Sequence, residues 1–426
     1  MFKLKLHWQI IIAIVLAIVI GLVVNAVYGQ IVLSAIDVLG KLFLKALKMV
    51  VVPLIASSII VSIAGIGSSG AVGRLGAMTL TYYMCTSLLA ILIGLLFVNI
   101  ITPGIIDGKP ANEVVGKFKQ DISDIQSKIE GKGMQDISEL PLRMVPENVF
   151  AAASDNAQLL SIIVFSLLFG FFMTKIEGPY ADTMYRFWRG VEQTMLKITD
   201  FIIMLAPIGV FALVFSVVVA TGMTAFVAVI KFVLTVLLAL GFHMFITMAL
   251  ILYFVARVNP KIQYQGMAPA LLMAFSTSSS SATLPVTLEC VEQNVGVSGR
   301  TSNFVLPLGA TVNMDGTALY ECVAALFIAQ AYGIDMSMRQ QFLIVVIALL
   351  TSVGVAGVPA ASLVAISIIL TSMGLPLEGI GLIMIADRIL DMCRTAVNIF
   401  SDSCGATTIA KLSGEELKPQ RGQESL

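Results

Sequence analysis

Residues 381–410 read GLIMIADRILDMCRTAVNIFSDSCGATTIA, and they decide how the remainder of the chain is read. Asp387, Asp391, Arg394, Asn398 and Asp402 lie here at intervals of 4, 3, 4 and 4 residues. On a helix that spacing collects all five on one face. Their neighbours are Ile, Leu, Met, Val and Ala, the composition of a segment in lipid. One charge near the bilayer centre costs roughly 2.5–3.5 kcal/mol on insertion scales, so several in one span need a compensating role. A salt-bridge network of Asp387 or Asp391 with Arg394 or Arg388 neutralises part of the charge but leaves Asn398 and Asp402 without a task. The reading adopted is a polar surface that binds a charged solute and small cations.

Of 426 residues, 58% are hydrophobic and only 12% charged, and the mean hydropathy is +0.95. Soluble domains carry about 25% charged residues, so the composition is that of an integral membrane protein. The formal net charge is zero. No Lys/Arg run points to nucleic acid. Cys85, Cys290, Cys322, Cys393 and Cys404 form no CxxC pair or Cys/His cluster and read as packing residues. His7 starts the first span, and His243, inside an apolar one, reads as structural. Lys3 and Lys5 precede apolar sequence that continues to about Val27. That exceeds the 7–15 residues of a signal peptide and approaches the ~20 that a span needs. There is no HExxH, GxGD or GxSx motif with a matched histidine, and no P-loop. An intramembrane enzyme or a directly ATP-driven pump therefore has no chemistry to stand on.

Apolar spans are expected at about 8–27, 42–66, 78–102, 156–176, 195–220, 226–256, 302–330 and 377–410, all helical because lipid offers no partner to backbone groups. Two segments between them do not read as ordinary spans. In 262–292, Ser276-Thr277-Ser278-Ser279-Ser280-Ser281 is followed by Pro285. In 338–373, Gly354, Gly357 and Pro359 interrupt an apolar run. Both read as re-entrant hairpins, whose unwound tips survive only in protein or against a cavity. Paired interrupted segments point to a transporter's binding site. Lys3, Lys5, Arg74, Lys175, Arg186, Arg189, Arg257, Lys261, Lys411 and Lys418 set the cytoplasmic side and place both termini there. Residues 103–150 read as an external loop, and the tail after Lys411 as disordered.

Residues 313–317 read Asn-Met-Asp-Gly-Thr, and Asn313, Thr317 and Glu321 recur every four residues. Gly316 beside a buried Asp315 predicts an irregular helix whose freed carbonyls join Asn313 and Asp315 around a hard cation. Oxygen ligands without His or Cys favour an alkali ion over a transition metal. Tyr83, Thr86 and Ser87 offer further hydroxyls. Desolvation disfavours charge on Glu321, which makes it a candidate proton carrier, the alternative being a hydrogen-bonded structural carboxyl.

Ser278–Ser281, Asn313–Thr317, Gly357-Val358-Pro359 and Asp391-Met392-Cys393-Arg394-Thr395-Ala396-Val397-Asn398 resemble, in order, the four signature regions of the glutamate transporter family of dicarboxylate/amino acid:cation symporters. The resemblance covers nearly the whole chain. It implies an all-α fold of eight transmembrane helices and two re-entrant hairpins, a homotrimer in the cell membrane with an elevator mechanism, and no cofactor. The scaffold would be 1–77 and 156–222. The moving transport domain would comprise helix 3 (78–102), helix 6 (223–260), hairpin 1 (261–295), helix 7 (296–334), hairpin 2 (335–375) and helix 8 (376–412). Residues 103–155 would be the external loop and the start of helix 4, and 413–426 a cytoplasmic tail.

Carried over by resemblance, Arg394 pairs with a side-chain carboxylate of the substrate, helped by Thr317 and Thr395. Asp391 holds the amino group, Asn398 and Ser280 the α-carboxylate, and backbone near Val358 closes over it. One sodium ion would use Asp402, Asn398, Gly309 and Asn313, and a second Thr311 with Ser352, Val353 and Val355. A third would use Asp315, Asn313, Tyr83, Thr86 and Ser87. Glu321 stands where proton-coupled members resemble it. Arg394 argues for an acidic substrate and Asp391 for an amino acid, so the expectation is a sodium- and proton-coupled symporter of L-glutamate and L-aspartate. A C4-dicarboxylate symporter of the same fold is the rival. The chain departs from the family at Ser278, where archaeal members carry arginine, and at Met392, where animal members do. Its extra arginine is Arg388, three residues before Asp391, expected to take over gating or charge balance.

Overall fold

The structure is a computed structural model that describes residues 6–27, 29–67, 73–106, 108–111, 145–154, 159–221, 224–352 and 361–418. Helices dominate: α1 (Leu6–Val27), α2 (Gly29–Gly67), α3 (Gly73–Ile101), α4 (Val149–Ser154), α5 (Leu159–Met173), α6 (Gly178–Met204) and α7 (Ala206–Thr221). Helix α8 (Thr224–Phe242) continues through π-helical turns His243–Thr247 and Ile251–Ala256. There follow α9 (Pro260–Thr277), α10 (Ser280–Glu289), α11 (Gly299–Val312), α12 (Asp315–Ala331), α13 (Met338–Ser352), α14 (Ala361–Met373) and α15 (Ile380–Leu412). A two-residue hairpin, β1 (Ile105–Ile106) and β2 (Lys109–Pro110), pairs Ile105 with Pro110.

Among the described residues, Arg74–Ile101, Val227–Ala256 and Gly299–Ala331 are long and apolar enough to cross a membrane. Shorter apolar helices accompany them, including Ile12–Gly21, Ser161–Met173 and Ala206–Ser216. Ile12, Val15, Leu16, Val19 and Val23 of α1 and Ile230, Leu234 and Leu238 of α8 are exposed. Such apolar faces are costly against water and natural against lipid. The chain is a multi-helix membrane protein.

Packing sorts the helices into two groups. Helix α1 lies on α7, and α2 on α5, α6 and α7. Helix α15 packs against α8, α9, α11 and α12, while α12 packs on α3, α13 and α14. The second group contains Tyr83, Thr86, Ser87, Asn313, Asp315, Thr317, Glu321 and the polar face of α15, while residues 353–360 lie outside the described residues.

Several expectations change. The single span 195–220 is two helices: α6 starts at Gly178 and ends at Met204, and α7 restarts at Ala206. Pro207 has no N–H to continue the ladder. Residues 413–418 are not loose. Thr301 Oγ1 donates to Glu415 Oε1 (2.5 Å), and the Lys418 amide donates to the Gly296 carbonyl (2.9 Å). In the first hairpin, Pro285 sits inside α10 and does not break it. The break is at Ser278, which is left-handed (φ 52°, ψ 35°), followed by extended Ser279. Ser279 Oγ accepts the Ala282 amide (3.2 Å), an N-cap that restarts the helix. Helices α9 and α10 then fold back on each other, as do α13 and α14. The external loop's 112–144 and the tip with Val353, Val355 and Val358 lie outside the described residues.

Candidate functional site

Helix α15 carries the polar face that its 3.6-residue periodicity predicts, and nearly all of it is buried. Arg394 is 1% exposed. Its Nη2 donates to Asp391 Oδ1 (2.9 Å) and Asp387 Oδ1 (3.1 Å), and Nη1 to Ser362 Oγ of α14 (2.9 Å). The guanidinium lies over the Tyr320 ring, 3.8 Å from its centroid, and the Tyr320 hydroxyl donates to Asp387 Oδ1 (2.9 Å). Stacking and paired acceptors are what a planar guanidinium uses in place of water. Arg394 Nε is buried without a partner among the described residues. One donor edge is thus left for another acceptor.

A turn further along, Asn398 joins α15 to the start of α12. Its Oδ1 accepts the amides of Gly316 (2.8 Å) and Thr317 (3.3 Å), and its Nδ2 donates to Thr317 Oγ1 (3.1 Å). These amides are first-turn donors that no helical carbonyl can satisfy. Gly316 permits the approach, because a Cβ there would sit 2.7 Å from the Arg394 carbonyl oxygen. Gly316→Ala should therefore separate α12 from α15, at the ~1–3 kcal/mol typical of overpacking, and weaken substrate binding at least tenfold. Thermal unfolding with and without ligand measures both, and unchanged values would remove the close approach from the account.

The third level is anionic. Asp315 Oδ1 accepts from Ser87 (2.6 Å) and Thr86 (3.4 Å), and Oδ2 from Ser401 (2.6 Å). Asn313 Nδ2 donates to Ser401 Oγ (3.0 Å) and Asp402 Oδ1 (2.9 Å), so Ser401 and Asn313 link the two carboxylates. Among the described residues neither Asp315 nor Asp402 has an arginine or lysine within ion-pair distance. The chain break that frees backbone groups is at Asn313–Met314, between α11 and α12 and earlier than Gly316. A Cβ on Gly309 would lie 2.5 Å from Asp402 Oδ1 and 2.6 Å from the Tyr83 hydroxyl, so the α11 backbone meets both side chains. Buried carboxylates among hydroxyl, amide and carbonyl oxygens suit a hard cation.

Other expected residues make their hydrogen bonds outside these three networks. Glu321 Oε2 accepts from Thr351 of α13 (3.0 Å), and its Oε1 has no partner among the described residues. Thr311 and Ser352 bond carbonyls of their own helices, Leu308 and Leu349. Thr395 bonds the Asp391 carbonyl (2.8 Å), Tyr83 donates to the Val305 carbonyl (2.7 Å), and Ser280 opens α10 in a buried position. Asn313, Thr317 and Glu321 do not share one helix face, because Asn313 precedes the break. Arg388 Nη1 lies 3.7 Å from Asp391 Oδ2.

Sequence reasoning passed over Tyr320, Ser362 and Ser401, and read His243 only as structural. Ser401 follows Asn398 by three residues, a usable helical signal. His243 has none: it is fully buried in a π-helical turn, with Nε2 3.1 Å from Asp315 Oδ2 across 72 residues of chain.

Residues 6–412 match the sequence profile of the sodium:dicarboxylate symporter family. This chain belongs to that family. The proton/glutamate-aspartate symporter of Escherichia coli (strain K12) is 34% identical over 414 residues, spanning 96% of this chain and 93% of its own. The proton/sodium-glutamate symport protein of Geobacillus stearothermophilus is 34% identical over 97% of this chain and 96% of its own. Excitatory amino acid transporter 3 of Homo sapiens is 34% identical over 89% of this chain and 79% of its own. The family and these relatives are transporters, not enzymes.

Proposed function

We propose that this symporter carries L-glutamate and L-aspartate, driven by sodium ions and, through Glu321, by protons. One observation carries the reading. Buried Arg394, Asp391 and Asn398 stand on α15 immediately before Asp402, which Asn313 and Ser401 link to Asp315 with no lysine or arginine beside either among the described residues. The first group suits a ligand with two carboxylates and an ammonium. The second is unfavourable until a cation arrives. Ligand and ions each stabilise the other's site, which is the free-energy coupling of symport.

In this reading Arg394, with Thr317 and Thr395, takes the side-chain carboxylate. Asp391 takes the ammonium, and Asn398 with Ser280 and the backbone near Val358 the α-carboxylate. Sodium ions occupy the sets around Asp402, Asp315 and Thr311–Ser352, and Arg388 balances charge. The two packing groups fit a scaffold and a transport body that moves as an elevator, and the reading extends to a multi-pass homotrimer with both termini cytoplasmic. Asp391 weighs against the C4-dicarboxylate reading, since it would repel a ligand without an ammonium.

The test is uptake of radiolabelled L-aspartate and L-glutamate by purified protein in liposomes, with sodium and proton gradients imposed separately and together. Uptake should require sodium and increase with an inward proton gradient, and Glu321→Gln should lose only the pH sensitivity. Proton-driven uptake without a sodium requirement would remove the cation assignments. Succinate competing as strongly as aspartate would favour the rival substrate class.

A further inference from the structure

Asp391 is claimed from two sides. Its Oδ1 accepts from Arg394 Nη2 at 2.9 Å, and its Oδ2 faces Arg388 Nη1 at 3.7 Å. The second distance is too long for a hydrogen bond and short enough for a strong charge interaction in a site this enclosed. Arg388 itself is only loosely held. Its side chain is 20% exposed, and its Nε is buried with no hydrogen-bond partner among the described residues. Asp387 and Asp391 against Arg388 and Arg394 make a quartet with no net formal charge, although Asp387 is spent on Arg394 and Tyr320. In the reading above Asp391 takes the ligand's ammonium, and a second guanidinium already stands at its outer oxygen.

We propose that Arg388 is a specificity-determining residue that competes with the substrate's α-ammonium for Asp391, lowering the advantage that the amino group confers. The inference rests on the acidic amino acid reading above. An ammonium arriving at Asp391 meets a partly neutralised carboxylate and a like charge within a few ångströms. A ligand with the same two carboxylates and no ammonium meets Arg388 as a counter-charge that offsets Asp391. Arg388 therefore moves the two ligand classes in opposite directions. A residue that served only to hold the helix in shape would move them together.

The experiment is calorimetric binding of L-aspartate and succinate to the full chain in detergent at saturating sodium. It compares wild type, Arg388→Gln and the charge-conserving Arg388→Lys. In Arg388→Gln, L-aspartate should tighten about threefold or more and succinate should weaken, so that the ratio of their Kd values rises at least tenfold. Arg388→Lys should remain within about threefold of the wild-type ratio. A ratio unchanged in Arg388→Gln, or equal weakening of both ligands, overturns the proposal while leaving the amino acid reading intact. Wild-type protein that binds succinate but not L-aspartate overturns that reading and this inference with it.

Discussion

Arg394→Ala should weaken binding of L-aspartate and L-glutamate by on the order of a thousandfold. The guanidinium is almost fully buried and is held by Asp387, Asp391, Ser362 and the Tyr320 ring, with Nε left over. Truncating one partner of a buried, hydrogen-bonded charge pair costs roughly 2–5 kcal/mol, and each 1.4 kcal/mol is tenfold. The same substitution strands Asp387 and Asp391 in a site that excludes water, so the ligand-free protein should also melt earlier, by the roughly 3–5 kcal/mol of a broken buried pair. Arg394→Lys separates the two effects. It keeps the charge and most of the stability but loses the planar fork, and its affinity should fall about a hundredfold. Calorimetric titration and thermal unfolding of the three proteins make the comparison. An alanine variant that binds within threefold of wild type would exclude Arg394 from the substrate site.

Asp315→Asn should raise the sodium concentration needed for half-maximal L-aspartate binding at least fiftyfold. Asp315 accepts from Ser87, Thr86 and Ser401 and faces His243, and no lysine or arginine among the described residues shares its charge. The amide fills the same space and replaces an acceptor pair with one acceptor and one donor, so the shape survives while the cation's counter-charge is lost. Because substrate and cation sites are coupled, L-aspartate affinity at a fixed subsaturating sodium concentration should fall too, and recover as sodium is raised. Aspartate affinity that falls by one factor at every sodium concentration would assign Asp315 a structural role instead.

How much of this was legible varies from residue to residue. The face from Asp387 to Asp402 could be read because both periodicity and hydropathy are local, and the helix Ile380–Leu412 carries it as read. The break in the first hairpin falls inside the hydroxyl run Ser276–Ser281, as its composition predicts, and Pro285 takes no part in it. Ser278 ends one helix and Ser279 caps the next, whereas Pro285 lies inside α10. The irregular turn near Asp315 was likewise expected, and it falls at Asn313–Met314. His243 was not legible. A histidine in an apolar run has many possible partners, and the one it meets lies 72 residues away on another helix.

Hydropathy and helical spacing belong to the chain alone, because they depend on neighbours within a few residues. From them follow the membrane environment, the polar face of α15 and the interrupted segments that accompany it. Which polar groups meet is a property of packing. Tyr320 beneath Arg394, and Ser401 and Asn313 between Asp315 and Asp402, depend on how helices cross, whereas Arg388 beside Asp391 is a local pair three residues apart on α15. Those crossings need close backbone approaches such as those at Gly309 and Gly316, where any Cβ would collide with Asp402 or with the Arg394 backbone. A contact between residues distant in sequence is decided by shape complementarity across the whole helical bundle, and local pattern carries no record of it.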